Sequence, residues 1–145
     1  CVVGFSTEIK HSIIGDDCWF HKNYIGDSII SNNCLFGAGT VTANFRFDEK
    51  NVHVMVGRKK IDSGTNKLGA IIGANCKTGI NSCLEPGVKI GPNSMVGPNV
   101  DLQVDLEPKK IILVNKNSYV KKKNWINISS DSKQQLMEKL KKLEK

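Results

Sequence analysis

Hydrophobic residues return at every sixth position through the middle of the chain. The first residue of each unit is aliphatic, or once a threonine: Ile72, Thr78, Leu84, Ile90 and Val96. The fifth residue of each unit is small: Cys76, Ser82, Val88, Ser94 and Val100. The same pattern begins earlier, at Ile14, Ile30 and Phe36. Repetition at a fixed short period predicts a solenoid of stacked structural units.

Each unit of six predicts a short strand and a turn, and three units close one triangular coil. The first residue points into a narrow interior, where branched aliphatic side chains stack on their counterparts in neighbouring coils. The fifth residue points inward near a corner, where only small side chains fit. Glycine, asparagine and aspartate tolerate the backbone conformations of the corners. The predicted fold class is mainly β, a single-stranded parallel β-helix of hexapeptide repeats. Its left hand follows from the resemblance to known folds of this kind.

One interruption lies between Ile14 and Ile30, which are sixteen residues apart where two units of six would take twelve. We therefore expect four extra residues to bulge from the helix near residues 19–24. His21 lies in this segment, and an imidazole is the side chain best able to accept a proton near neutral pH. From a bulge it would reach a ligand in the groove beside the prism. A solvent-exposed turn histidine is the alternative interpretation.

A longer interruption lies between Thr42 and Leu68, where some 25 residues leave the pattern. Valines alternate with other residues at Val52, Val54 and Val56, and a turn follows at Gly57. This arrangement predicts an extruded arm with a hairpin, inserted at about residues 44–68. Insertions in solenoids gather on one face and often carry the binding residues.

The repeat stops after Asp101, and the last part of the chain has a different character. Residues 111–114 predict a closing strand, and residues 131–143 predict a helix with leucines and a methionine on one face. We divide the chain into a β-helix over 1–108 and a basic strand and helix over 109–145. The helix is expected to cap the solenoid or contact another subunit. It is short and lacks aromatic residues, which argues against membrane binding.

Charge is unevenly distributed along the 145 residues, whose net charge is +7. Residues 1–108 carry ten Lys and Arg against eleven Asp and Glu, whereas residues 109–145 carry eleven Lys against three acidic residues. A basic tail suits nucleic acid, a membrane surface or a phosphorylated cofactor, and a solvated lysine face is the commoner case. Composition leaves these alternatives open. No apolar run approaches the ~20 residues that cross a bilayer.

The five cysteines show no CxxC pair, so neither a disulfide framework nor a zinc ribbon is indicated. Cys18, Cys34 and Cys76 occupy the small inward position and are expected to be inert buried thiols. Cys83 falls at an outward position and is a candidate reactive thiol. The three histidines are too far apart in sequence to suggest a zinc site. We expect reduced thiols, no metal and a cytoplasmic protein.

Several motifs at these interruptions occur together in one known family. The string His21-x-x-Tyr24-x-Gly26-Asp27 is followed by Gly37-Ala38-Gly39-Thr40-x-Thr42-Ala43-Asn44, and Lys50 lies six residues beyond. From about Glu8 to Val100 the chain resembles a C-terminal acetyltransferase domain. That domain belongs to the bifunctional glucosamine-1-phosphate acetyltransferase and N-acetylglucosamine-1-phosphate uridylyltransferase family. The likeness is greatest to archaeal-type sugar-1-phosphate nucleotidylyltransferases.

The resemblance implies N-acetylation of glucosamine or galactosamine 1-phosphate by acetyl-CoA, within an enzyme of UDP-N-acetylglucosamine synthesis. His21 would be the general base that takes a proton from the sugar amine. Tyr24, Lys50 and Lys10 would hold the sugar phosphate, and Asn44 would contact the amino sugar or the acetyl group. The positions that touch acetyl-CoA in the family are Ala38, Phe45, Ile80 and Pro98. The family forms homotrimers with active sites between subunits.

The chain also departs from that family. Bacterial members have asparagine at the position of Leu35, and the nucleotidyltransferase domain that precedes the β-helix is absent here. Because the sequence opens at Cys1 in the middle of the pattern, we expect a fragment or a processed chain. A non-catalytic tail that trimerises or regulates a sugar nucleotidyltransferase is the alternative function. A nucleic-acid-binding module using the lysine-rich tail and Trp125 is disfavoured, because the body is nearly neutral.

Overall fold

Short strands follow one another at the intervals that the hydrophobic repeat sets. The computed structural model describes residues 1–115 and residue 123. In that part of the chain the strands are β1 (Val2–Val3), β2 (Glu8–Lys10), β3 (Ile13–Ile14), β4 (Trp19–Phe20), β5 (Tyr24–Gly26), β6 (Ile29–Ile30), β7 (Leu35–Phe36), β8 (Val41–Thr42), β9 (His53–Val56), β10 (Lys59–Asp62), β11 (Ile71–Ile72), β12 (Lys77–Thr78), β13 (Cys83–Leu84), β14 (Lys89–Ile90), β15 (Met95–Val96), β16 (Asp101–Leu102) and β17 (Ile111–Ile112).

Three parallel sheets form the faces of a prism. Face A has the order β1-β4-β7-β12-β15-β17, face B has β16-β13-β8-β5-β2, and face C has β14-β11-β6-β3. Outside the arm, consecutive strands from β1 to β16 fall on faces A, B and C in turn, so every third strand completes a coil. Between β16 and β17 the face C position is taken by Leu106, which forms an isolated parallel bridge with Ile90. This is the parallel β-helix that the repeat predicts, with the left hand expected from the resemblance to known folds. The AB and BC corners are the edges where the chain passes from face A to face B and from face B to face C.

The core is a single column of inward side chains. The first residue of every predicted unit is at most 5% exposed, from Ile72 to Val96, and the small fifth residues are buried as well. Two aromatic rings widen the column, since Phe20 and Phe36 stack with centroids 5.0 Å apart. Burying side chains of this size contributes about 1.5–3 kcal/mol each. The register that stacks these side chains therefore stabilises the whole prism.

Regular corners share one backbone device. Where two inward residues are six positions apart, the residue three positions after the first of them has a positive φ. Examples are Asp17, Asn33, Gly39, Asn75, Asn81, Gly87, Asn93 and Asn99. Glycine, asparagine and aspartate adopt this left-handed conformation most readily. The corner chemistry expected from the sequence is confirmed at these positions.

Three corners are one residue shorter, and they correct the sequence-based expectation of a bulge. Ile14 pairs with Ile30 in the adjacent coil, so one complete coil of sixteen residues lies between them. Phe20 and Ile25 are both buried inward residues and are only five positions apart. The coil therefore falls two residues short of three full units, and the expected four-residue bulge is wrong. A search at a fixed period of six misses an inward residue that arrives one position early.

The arm leaves the prism at the BC corner after β8 and returns before β11. Its strands β9 and β10 form the predicted antiparallel hairpin, with Val56 opposite Lys59. The two ends of the arm are held together, because the N–H of Leu68 donates to the carbonyl of Asn44 at 3.0 Å. The ladder of the prism continues across the insertion, since β11 pairs with both β6 and β14.

The described coils end at β17, which pairs with β15 on face A. This strand covers the first half of the predicted closing strand. The predicted helix at residues 131–143 lies outside the described residues, and the division at residues 108 and 109 stays a prediction. Within the described residues no helix has the length and apolar character needed to cross a membrane.

Candidate active site

His21 lies on the AB corner, directly after Phe20 of β4, and its side chain is exposed. The equivalent residues of other coils are glycines whose N–H groups donate to the next coil at 2.7–3.0 Å: Gly4, Gly37, Gly79 and Gly97. The N–H of His21 leaves this ladder and donates to Oδ1 of Asn23 at 2.6 Å. Among residues 1–115, nothing forms a hydrogen bond or ion pair with the imidazole. The ring is therefore available to a ligand.

The glycines on the AB corner are required by close contact between coils. A Cβ at Gly79 would lie 2.4 Å from the nitrogen of Pro98, and a Cβ at Gly37 would lie 2.6 Å from the carbonyl carbon of Gly79. These distances are to backbone atoms, which cannot move aside as a flexible side chain can. His21 carries a side chain at the same place because its five-residue corner turns the backbone out of the ladder.

Asn23 holds that tight corner. Its side chain is 4% exposed, and Nδ2 donates to the carbonyls of Gly37 at 2.8 Å and Thr40 at 3.1 Å. Oδ1 of the same amide accepts from the N–H of His21. One buried amide thus fixes the backbone of His21 to the next coil. The sequence analysis assigned Asn23 no role, although it stands within the motif.

Three of the residues expected to contact acetyl-CoA stack along the AB corner beside His21. Ala38, Ile80 and Pro98 each lie two positions after an inward residue of face A. The carbonyl of Ala38 accepts from the N–H of Asn81, and the carbonyl of Ile80 accepts from that of Asn99. The stacked corners form a continuous exposed edge that begins at the imidazole.

Tyr24 and Asn44 meet across face B. Tyr24 is expected to hold the sugar phosphate, and Asn44 is expected to contact the amino sugar or the acetyl group. Nδ2 of Asn44 donates to the Tyr24 hydroxyl at 3.3 Å. Both lie against Gly26, where a Cβ would be 2.6 Å from Nδ2 of Asn44 and 2.8 Å from the Tyr24 hydroxyl. Lys10 is the register partner of Gly26 in β2 and is exposed. The structure therefore brings these predicted residues together on one face.

Two residues beside this group were missed by the sequence analysis. Asp27 accepts a hydrogen bond from Nδ2 of Asn44, and its other carboxylate oxygen lies 3.7 Å from Nδ1 of His11. His11, Asp27 and Asn44 each stand two positions after an inward residue of face B. That stacking is visible in the sequence only when the five-residue corners are recognised.

Lys50 and Phe45 lie on the arm and not on the AB corner. Lys50 is exposed, and its N–H donates to Oδ1 of Asp48 at 3.4 Å. Lys67 places its ammonium 4.2 Å from the centre of the Phe45 ring. A groove of about 750 Å³ opens at the base of the arm, lined by Ala43, Phe45, Arg46, Phe47, Asp48, Glu85, Pro86, Asp101 and Gln103. Of the predicted site residues, only Phe45 lines it.

A polar cluster of Cys83, Glu85 and Asp101 lies at the wall of this groove, whose lining includes both carboxylates. The Cys83 sulfur and one carboxylate oxygen of each of Glu85 and Asp101 lie within 4.8 Å of one another. Burial raises the pKa of Cys83, and the neighbouring carboxylates add to this shift. The thiol is therefore a weaker nucleophile than its outward position suggests.

The chain is similar to archaeal bifunctional enzymes. It is 48% identical over 127 residues to the bifunctional protein GlmU of Methanococcus maripaludis strain C7. The aligned region covers 87% of this chain and 29% of that protein. It is 47% identical over 105 residues to a bifunctional sugar-1-phosphate nucleotidylyltransferase/acetyltransferase of Sulfurisphaera tokodaii, covering 72% of this chain and 26% of that protein. The chain thus spans less than a third of the length of these curated relatives.

Repeat and fold comparisons agree with this relationship. The family described as bacterial transferase hexapeptide (six repeats) matches residues 69–100. Serine acetyltransferase isoform 3 of Entamoeba histolytica has the same fold, with a TM-score of 0.52 and 15% identity over 78% of this chain and 36% of that one. The resemblance drawn from the motifs is confirmed: the chain is similar to the C-terminal region of the archaeal GlmU-type bifunctional enzymes and carries the hexapeptide repeat of bacterial transferases.

Proposed function

We propose that this chain transfers an acetyl group from acetyl-CoA to the amine of a hexosamine 1-phosphate, either glucosamine or galactosamine 1-phosphate. The observation that carries the proposal is the unengaged imidazole of His21 at the start of the AB corner edge. The name of the Sulfurisphaera relative, a sugar-1-phosphate nucleotidylyltransferase/acetyltransferase, supports both the reaction and the substrate class. The whole enzyme would then serve sugar-nucleotide synthesis.

His21 acts as the general base in this reaction. The sugar amine attacks the thioester carbonyl, and the imidazole takes the proton that the nitrogen must lose. The tetrahedral intermediate then collapses and expels the thiolate of coenzyme A, which receives a proton. No covalent enzyme intermediate is needed, so the protein supplies a base and the alignment of two substrates.

The other predicted residues divide between the two substrates. Tyr24 and Asn44 contact the sugar from face B, and Lys10 on the same face contributes a positive charge for the phosphate. Acetyl-CoA extends along the AB corner past Ala38, Ile80 and Pro98. The glycines between these residues leave the edge flat enough for an extended ligand.

We further propose that the active form is a homotrimer whose sites lie between subunits. Face A carries exposed apolar residues in register: Val2, Trp19 and Leu35 form a stripe on one side of Lys77, and Met95 and Ile111 follow on the other. Face C exposes Ile13 and Ile29. Exposed apolar stripes of this kind mark association surfaces. Association would also bring the arm, with Lys50 and Phe45, to the AB corner of a neighbouring copy.

A non-catalytic trimerisation tail is the second candidate, and Leu35 favours it. In place of the bacterial asparagine, this leucine extends the apolar stripe between Trp19 and Lys77. The stripe alone would suffice for a tail that only assembles subunits. The two candidates make different predictions for His21, because acetyl transfer requires its imidazole and trimerisation does not.

The decisive experiment measures thiol release from acetyl-CoA with each hexosamine 1-phosphate. Two proteins are assayed: this chain, and a chimera that joins it to the N-terminal domain of the Methanococcus relative. We expect His21→Ala to lower kcat about 10²–10⁴-fold, the usual contribution of a general base. Lys22→Gly, on the same corner with a φ of 55° that glycine adopts easily, is the matched control.

Sedimentation of the same samples reports the assembly. Activity that falls only in His21→Ala establishes the acetyltransferase and its base. If neither protein acetylates either sugar while both sediment as trimers, the non-catalytic tail is correct and the proposal fails.

A further inference from the structure

The Asp27 side chain lies at the centre of a polar chain on the BC corner. It is 15% exposed and stands between His11 and Asn44. Its backbone is held on both sides, because its N–H donates to the carbonyl of Lys10 at 2.9 Å and its carbonyl accepts from the N–H of Gly69 at 2.8 Å. The position of the carboxylate is therefore fixed by the surrounding coils.

The carboxylate sets the orientation of the Asn44 amide. A side-chain amide offers two N–H donors and one oxygen acceptor, whereas a carboxylate only accepts. Nδ2 of Asn44 donates to Asp27 and to the Tyr24 hydroxyl, so the nitrogen is turned toward the protein. Within the described residues nothing donates to Oδ1 of Asn44, and this oxygen remains an acceptor for a ligand.

The same contact orients Tyr24. Because its hydroxyl oxygen accepts from Asn44, its hydrogen is free to be donated elsewhere. A reversed amide would place Oδ1 against the Asp27 carboxylate, which can only accept, and would turn Nδ2 toward the ligand. Gly26 permits the arrangement, since a Cβ there would collide with both polar atoms.

We propose that Asp27 is a positioning residue that fixes how this site recognises its sugar. With Asp27 in place, the site presents one acceptor, Oδ1 of Asn44, and one donor, the Tyr24 hydroxyl. The matching ligand offers an N–H or O–H group beside an acceptor oxygen. The hexosamine 1-phosphate of the proposed function, on which this inference rests, carries both.

Two substitutions at Asp27 separate orientation from backbone geometry. Asp27 has a φ of 46°, a conformation that glycine and asparagine adopt without appreciable strain. Asp27→Gly removes the acceptor, whereas Asp27→Asn keeps a neutral acceptor oxygen of the same size. Asp17→Gly is the matched control, because Asp17 has a φ of 57° and lies on a corner of the prism away from face B.

The KM values for hexosamine 1-phosphate and for acetyl-CoA are measured for each variant, together with thermal unfolding. We expect Asp27→Gly to raise the KM for the sugar about tenfold or more, as loss of a charge-assisted hydrogen bond does. Asp27→Asn should raise it less. The KM for acetyl-CoA and all the values for Asp17→Gly should stay within twofold of the wild type.

Three results would overturn the assignment. An unchanged sugar KM in Asp27→Gly shows that the carboxylate does not orient the site. An equal loss for both substrates, together with a lower unfolding temperature than Asp17→Gly, shows a structural role only. A wild type that acetylates neither sugar removes the proposed function and this inference with it. The first two results leave the proposed function standing.

Discussion

The coils at residues 72–102 and the coils at residues 9–30 are built from the same stacked strands but turn their corners differently. The coils at residues 72–102 have an inward side chain at every sixth residue, and the residue that begins each of their AB corners is glycine. The coils at residues 9–30 contain the three five-residue corners, and these hold His11, His21 and Asp27. At His21 the shorter corner takes the backbone N–H out of the coil-to-coil ladder, whereas at Asp27 the backbone stays hydrogen-bonded to the coils on both sides. Both short corners carry a polar side chain where the regular AB corners carry glycine.

The largest effect should follow from placing a side chain on a regular corner. Gly79→Ala puts a Cβ 2.4 Å from the backbone of Pro98, which must shift. We expect the free energy of unfolding to fall by about 3 kcal/mol, as overpacking a fixed site does. Urea denaturation followed by circular dichroism measures the change.

Gly57→Ala is the control for that substitution. Gly57 lies in the hairpin turn, where a Cβ would have no atom within 4 Å, and its φ is 61°. There alanine should lower the free energy of unfolding only by its left-handed backbone strain, about 1 kcal/mol. Equal stability losses in the two variants would mean that coil contact does not exclude side chains from regular corners.

A smaller effect should follow from releasing a tight corner. Asn23→Ala removes the buried side-chain partner of the Thr40 carbonyl and the His21 N–H, while the Gly37 carbonyl keeps its hydrogen bond from the N–H of Thr40. We expect a loss of about 1–2 kcal/mol, the cost of unsatisfied buried polar groups. Because the backbone of His21 is released, kcat should fall as well.

Asn33→Gly is the comparison within a regular corner. Asn33 is exposed, and its amide donates only to Asn75, at 2.8 Å. Its loss should leave stability within about 0.5 kcal/mol of the wild type, as for most surface substitutions. If Asn23→Ala behaves in the same way, the buried amide does not define the tight corner.

The smallest change concerns the thiols, whose reaction with a disulfide reagent tests how well the corners close. Contact with the Cys76 thiol and burial raise the pKa of Cys34 far above its usual range. Cys83 should react slowly because its own pKa is raised. In the native protein we expect rapid modification of exposed Cys1 and none of the buried thiols.

Cys1→Ser provides the baseline for this measurement, and addition of denaturant should then expose every remaining thiol. Rapid modification of Cys18, Cys34 or Cys76 under native conditions would show that the corners open freely.

The regular coils could be predicted from the sequence because their inward residues recur at every sixth position. The coil between Ile14 and Ile30 could not, since Phe20 and Ile25 arrive five residues apart and resemble an insertion. The resemblance assigns Tyr24 and Asn44 separate roles at the site, and their contact with each other and with Asp27 is seen only when the corners stack in the fold. Phe45 was expected with Ala38, and only the fold shows that they lie on different edges.

The arm shows how such a scaffold can change without being rebuilt. Its ends meet through the Leu68–Asn44 backbone bond, and the strands on either side keep their places in the prism. Lengthening a closed loop costs only about 0.6 kcal/mol for each doubling. The arm could therefore be exchanged for one of another length or composition while the AB corner edge stays intact. Substrate preference and structural integrity would then evolve as separable modules, and the arm is the natural place to graft new specificity.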